Sequence, residues 1–362
     1  MLILIDGHED LANNILGMKR DYLISAHEAR KLEQGSREVE AYGQRLLGWP
    51  EFQKGHVTIV FGTLFATPRK WQKHDWDPMT FDNPEEAFKL ALRQMDVYHQ
   101  LGNDQPHAFR LISDQTDLTT VLDDWQEGED PKDRPVGIVP LMEGADGIRS
   151  MADLEIFRSH GLYFLGLVWA GNRFAGGTRE PGPLTAEGRR LLAQMDELDL
   201  CLDVSHMSCR SLLQAVDHFR GQVIASHANC RALLPGTTSE RNLTDEAIQE
   251  LVKREAVIGL VPFNVFLDPG WQKHGPREHV RLNRLVEHID HICQIAGDAH
   301  HVGIGSDFDG GFGLEDTPYE IDTVADLQKL APLLREREYN DADVAAIFHG
   351  NWLRILRKVL PK

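Results

Sequence analysis

The sequence predicts an α/β fold, a closed (β/α)8 barrel of the TIM type. Two observations lead there. Eight short apolar runs alternate with segments of helical pattern, and six of those runs end in His, Asp, Glu or Trp. Runs of that kind are the mark of parallel strands buried on both faces. A doubly wound open sheet shows the same alternation, but it holds its first and last strands far apart, whereas a barrel gathers every strand end on one face.

In order, the runs are LILID (2–6), VTIVFGTLF (57–65), VGIVPLM (136–142), LYFLGLV (162–168), CLDVS (201–205), VIAS (223–226), VIGLVPF (257–263) and VGIGS (302–306). Helices between them declare their starts. Asn83 precedes Pro84-Glu85-Glu86 and opens 84–101, Thr185 opens 186–198, and Thr244 opens 245–254, each with a cap residue followed by good helix formers. Segment 10–56 is long for a connection and is expected to hold two helices. Segments 66–82 and 265–280 read as loops over the barrel mouth. Barrels often exceed roughly 250 residues as one domain with insertions, so residues 1–362 are expected to form a single barrel with insertions at 10–56, 66–82 and 265–280.

The 38 basic and 56 acidic residues give a formal charge of -18, which repels a phosphate backbone or anionic lipid. Neither a nucleic acid nor a membrane is an expected partner. No stretch reaches the ~18 apolar residues of a membrane span, and the start MLILIDGHEDLANN lacks the pattern of a signal peptide. Cys201, Cys209, Cys230 and Cys293 show no CxxC spacing. The expectation is a reduced, cytoplasmic protein.

The strand ends carry the chemistry. His8-Glu9-Asp10 follows the first run, and alternate residues of an extended segment share a face, so imidazole and carboxylate can meet one ion. Alone, HxD is better read as a turn with a capping Asp and an exposed His. Glu143 ends its run before Gly144, and a buried Glu is costly unless paired or metal-bound. His206 in LDVSHMS and His227 in VIASHAN repeat one pattern, apolar strand, Ser, His. Together these residues favour a metal site over isolated hydrogen-bonding side chains. Nitrogen and oxygen donors without sulfur suit zinc first, with manganese, cobalt or iron open. Five ligands with one bridging carboxylate fit two ions, and the barrel is then of the metal-dependent hydrolase type. In GIGSDFDGG (303–311), Asp307 reads as the general acid/base and Asp309 as a turn or cap residue. Arg241, in SERNLTDE, offers a two-pronged guanidinium for a carboxylate, though an arginine before a helix is ordinarily a surface residue.

With these residues quoted, the chain resembles the membrane dipeptidase (renal dipeptidase) family of zinc peptidases. The resemblance rests on DGHxD at 6–10, Glu143-Gly144, Ser-His at 205–206 and 226–227, RNLTDE at 241–246, GIGSDFDG at 303–310 and a closing HGNWLRILRKV. It implies two Zn2+: His8 and Asp10 bind one ion, His206 and His227 the other, and Glu143 bridges them. It further implies that Asp307 handles the proton of the attacking water and of the leaving amine, that Arg241 rather than Arg231 meets the substrate carboxylate, and that the protein is a homodimer. Two positions depart from the family. Trp169 stands where many members have a substrate-contacting His, and Asn264 where an aromatic contact is common.

The activity implied is hydrolysis of a dipeptide with a free C-terminal carboxylate. Trp169 and Asn264 keep open another small amide or ester, such as an N-acyl amino acid, at the same site. A catalytically silent metal-binding protein is the reading outside enzymes.

Overall fold

In the computed structural model, which describes residues 2–127, 130, 134–271 and 275–362, all eight apolar runs are strands. They are β1 (Leu4–Glu9), β2 (Val57–Leu64), β3 (Val136–Glu143), β4 (Phe164–Gly166), β5 (Cys201–Asp203), β6 (Val223–Ile224), β7 (Ile258–Leu260) and β8 (Val302–Ile304). All pair in parallel in the spatial order β7-β8-β1-β2-β3-β4-β5-β6. The ring closes through a bridge between Ala225, just past β6, and Ile258 of β7, with Ala225 N–H donating to Val257 at 2.9 Å and Gly259 N–H to Ala225 at 2.8 Å. Every residue of these strands is buried, as strands walled by the barrel interior on one side and helices on the other must be.

A ninth strand, Phe109–Leu111, was not expected. It pairs with the first half of β3, opposite Val136, Gly137 and Ile138, while β4 pairs with the second half, from Leu141 to Glu143. The insertion after β1 holds four helices rather than two: Leu11–Met18, Ala26–Leu32, Arg37–Tyr42 and Trp49–Gly55. Serines divide the polar stretch. Ser25 accepts from His27 N–H and Ser36 from Val39 N–H, both at 3.2 Å, so each caps a short helix of its own. The three helices expected from their caps run Pro84–Asp104, Ala186–Glu197 and Asp245–Lys253. Asn83, Thr185 and Thr244 accept from the N–H groups of Glu86, Gly188 and Ala247. The loop 66–82 carries a small parallel pair, Thr67–Pro68 with Thr80–Phe81. Of the 265–280 insertion, residues 272–274 lie outside the described residues.

The closing helix Asn351–Val359 anchors the barrel through Trp352. Its indole is fully buried and donates to the Ile304 carbonyl at 2.9 Å. Gly7 and Gly303 make room for it, since a Cβ at either would stand within 2.6 Å of the ring. Trp352→Ala is expected to cost about 3–5 kcal/mol in denaturant-midpoint measurements, because the void opens between two neighbouring strands. A loss under about 1 kcal/mol would mean the helix closes over the gap.

Candidate active site

Parallel strands place all C-terminal ends on one face of the barrel. His8 is the next-to-last residue of β1 with Asp10 just past the strand, Glu143 ends β3, and His206, His227 and Asp307 each follow their strand by three residues. Ring closure therefore brings together side chains drawn from both ends of the chain. His206 (φ 64°) and Asp307 (φ 57°) adopt left-handed backbone, a conformation that costs a non-glycine residue of order 1 kcal/mol or more and tends to gather at functional sites.

The Glu143 carboxylate sits at the centre. Its Oε1 is 2.9 Å from His206 Nε2 and 3.4 Å from His227 Nε2, whereas its Oε2 faces His8 Nε2 at 3.8 Å. His206 and His227 approach through their Nε2 atoms at 3.0 Å. On the other side, His8 Nε2 is 3.9 Å from Asp307 Oδ1, and His8, Asp10 and Asp307 bring donor atoms within 4.8 Å of one another, as do His8, Glu143 and His227. His8 Nε2 is buried without a hydrogen-bond partner. These two groups share His8, and all their donors are nitrogen or oxygen.

A polar scaffold fixes the imidazoles from behind. Buried Asp203, at the end of β5, accepts from the backbone N–H of Ser205 (3.0 Å) and Ser226 (2.9 Å) and from the Ser226 hydroxyl (2.5 Å). Ser226 Oγ lies 2.8 Å from His227 Nδ1 and 3.4 Å from His8 Nδ1, and Ser205 Oγ accepts from His227 N–H at 3.1 Å. Thr178 Oγ1 reaches His206 Nδ1 at 3.1 Å. Thr63 donates to Asp10, and Tyr98 in turn donates to the Thr63 carbonyl at 2.7 Å. With each Nδ1 engaged, the Nε2 lone pairs point inward, the arrangement that orients metal-binding histidines.

Burial sets the protonation states. It pushes Asp10 up to about 6 against the stabilising hydrogen bond of Thr63, and lifts Glu143 and Asp307 well above the ordinary carboxylate range, aided by the charge of Asp10. It holds His8, His206 and His227 well below the usual imidazole value, with the positive charge of Arg241 adding to the effect. Carboxylates that resist ionisation beside neutral imidazoles are a site short of positive charge.

The cluster opens into a cavity of about 620 Å³ lined by Asp10, Glu143, Trp169, His206, Arg241 and Asp307 among others, within the usual size of small-molecule sites. Arg241 is buried, donates to the His227 carbonyl at 2.7 Å and packs over the Phe266 ring at 5.2 Å; its Nη1 has no partner. Arg231 instead faces Glu240 at 3.6 Å and does not line the cavity. Asn264 does not line it either: the side chain is fully buried and donates to the Thr317 carbonyl at 3.1 Å, while the flanking Phe263 and Phe266 form the wall. Asp309 accepts from Leu46 N–H at 2.8 Å and pairs with Arg20 at 3.5 Å, tying the insertion after β1 to the loop after β8. The sequence reading missed Thr178, Arg179 and the aromatic wall. The serines before His206 and His227 are the one trace of the scaffold in the sequence.

The sequence profile described as "Membrane dipeptidase (Peptidase family M19)" matches residues 1–360. An uncharacterized protein in the pqqA 5' region of Klebsiella pneumoniae is 33% identical over 287 residues, covering 76% of this chain and 98% of that protein. The dipeptidase verJ of Clonostachys rogersoniana is 24% identical over 369 residues, covering 98% and 84%. A metallo peptidase from Rhodobacter sphaeroides, solved with a phosphinate mimic of the dipeptide L-Ala-D-Ala, shares the fold with a TM-score of 0.78 at 24% identity over 99% of both chains. The chain belongs to the membrane dipeptidase family, peptidase family M19, and is a metal-dependent hydrolase.

Proposed function

We propose that this chain hydrolyses the amide bond of dipeptides with a free C-terminal carboxylate at a binuclear zinc centre. The observation that carries the reading is the split orientation of Glu143, with Oε1 towards His206 and His227 and Oε2 towards His8. A carboxylate with its two oxygens facing separate histidine sets suits a bridging ligand. His8 and Asp10 would hold one ion and His206 and His227 the other. The orphaned Nε2 of His8 and the sulfur-free donor set fit zinc, with other divalent ions as substitutes. When such ions are bound, the chemistry they supply is Lewis-acid polarisation of the scissile carbonyl and a water made acidic near neutral pH.

The protein's own groups do the rest. Asp307, beside the cluster, takes the proton released by the attacking water and returns it to the leaving amine. Arg241 offers its free Nη1 to the terminal carboxylate, held in place by the His227 carbonyl and the Phe266 face. Trp169 forms a wall beside His206, with ring centroids 6.0 Å apart. Residues 1–362 would act as one barrel with its three insertions. Four free cysteines, two of them buried, suit a reducing compartment, so a cytoplasmic location belongs to the proposal. Rings of Phe65, Trp169, Phe263, Phe266 and Phe312 along the cavity favour N-acyl amino acids as the second reading.

Elemental analysis of protein purified without chelator should find about two ions per chain, and a panel of L,L and L,D dipeptides should release free amino acids. Two ions with only N-acyl amino acids cleaved would establish the second reading. No metal after reconstitution would refute the centre.

A further inference from the structure

Two arginines face the cavity, and the reading above uses one. The other, Arg179, is exposed at the rim. Its guanidinium stands 5.1 Å from the Trp71 ring centre and 5.2 Å from that of Trp169, so an indole from the 66–82 insertion and one from the end of β4 both hold it. Its loop is pinned to the barrel. Arg179 N–H donates to the Ala170 carbonyl at 3.0 Å and Gly177 N–H to the Glu180 carbonyl at 3.0 Å. A Cβ on Gly176 would lie 2.0 Å from the Gly182 nitrogen, which admits only glycine at that crossing.

The neighbouring carboxylate is committed elsewhere. Glu180 Oε1 accepts from Trp71 Nε1 at 2.9 Å and pairs with Lys70 at 2.5 Å, and among the described residues Arg179 forms no ion pair. The remaining acids of the cavity have their own partners. Asp309 has Arg20 and Leu46, and Asp77 accepts from Met79 N–H at 2.8 Å. Indole contacts occupy the faces of a guanidinium and leave its in-plane N–H edge free for a carboxylate.

We propose that Arg179, held by Trp71 and Trp169, is a second carboxylate-binding group, and that the preferred substrates are dipeptides with an acidic side chain, aspartyl or glutamyl. This rests on the dipeptide reading, in which Arg241 takes the terminal carboxylate. Two cationic sites then meet two carboxylates on one small molecule. Arg179 is a specificity residue at the cavity rim.

The test compares kcat/KM for dipeptides carrying Asp or Glu at either position with their alanyl counterparts, in wild type, Arg179→Met and Arg179→Glu. Binding of phosphinate analogues of the acidic and neutral dipeptides is measured in parallel by calorimetry on the metal-loaded protein. Wild type should favour acidic over neutral substrates by on the order of tenfold. Arg179→Met should erase most of that ratio, and Arg179→Glu should move the preference to lysyl dipeptides. An equal ratio in wild type and Arg179→Met overturns the assignment. Should no dipeptide be cleaved by wild type, the dipeptidase reading falls on its own. The phosphinates then decide Arg179: tighter binding of the acidic analogue, lost in Arg179→Met, supports it, and equal binding refutes it.

Discussion

Replacing Asp307 by asparagine should lower kcat by about 10²–10⁴-fold and leave the bound metal in place. The proposed reaction must move one proton from water to an amine that would otherwise leave as an anion. Asp307 is placed for that task, with Oδ1 3.9 Å from His8 Nε2 and the side chain on the cavity. Burial, then the charge of Asp10, lifts its pKa well above the free-carboxylate value, against the opposing pull of Arg241. A carboxyl group raised in this way exchanges protons nearer neutral pH than a free one does. Its position is enforced locally: a Cβ at Gly310 would fall 2.0 Å from Asp307 Oδ1, so glycine there lets the left-handed turn bring the carboxylate inward. Asparagine keeps the shape and loses the proton acceptor. Because the proposed Arg241 contact is left unchanged, the loss should fall on kcat rather than KM. Steady-state kinetics with metal analysis on the same sample checks this. A kcat within about threefold of wild type would transfer the proton role to another group.

How much of this was legible in the sequence differs from element to element. The eight barrel strands stood out because burial on both faces turns each into a nearly unbroken apolar run. Phe109–Leu111 did not, since only Phe109 of its three residues is buried and Arg110 interrupts the pattern while pairing with Asp124 at 2.9 Å. The four helices after β1 read as two because two of their three divisions are single serine caps in a polar stretch and the third is a glycine. His8, Asp10, Glu143, His206, His227 and Asp307 were visible as polar residues ending apolar runs, and barrel closure gathers them. Asn264 was a different matter. The family resemblance places it at a substrate contact, but a turn at Asn264–Phe266 directs its amide to Thr317 and leaves Phe263 and Phe266 to form the wall. Arg179 had no sequence signal at all, because AGGTREPG reads as an ordinary turn until Trp71 arrives from about a hundred residues earlier in the chain.

Removing the metal should abolish hydrolysis, and the stability lost with it should grow as pH rises from 5 to 8. The sign follows from two opposed sets of groups. Asp6 and Asp10 are raised by burial from 3.8 to about 6, so in the stripped protein the folded state holds their protons more tightly than the unfolded chain does. Their contribution is full below about 3.8 and is lost as pH climbs through about 6. Glu143 and Asp307, also raised, extend that loss upward. The imidazoles of His8, His206 and His227 run the other way: held neutral in the fold, they cost stability as pH falls through the unfolded value of 6.5. Stripped protein is thus squeezed from both sides. Cation binding at the proposed ligands relieves part of the acidic half of the problem by taking the place of the Asp10 and Glu143 protons, while the already neutral imidazoles have no proton to lose. Metal at about 1,000 times its Kd adds about 4 kcal/mol per site, and that term grows with pH until the carboxylates are ionised. Calorimetric melting of metal-loaded and chelator-stripped protein at pH 5, 6.5 and 8 should show the gap in Tm widening at each step. A gap independent of pH would mean that the bound ion does not replace these protons, and hence that Asp10 and Glu143 are not its ligands.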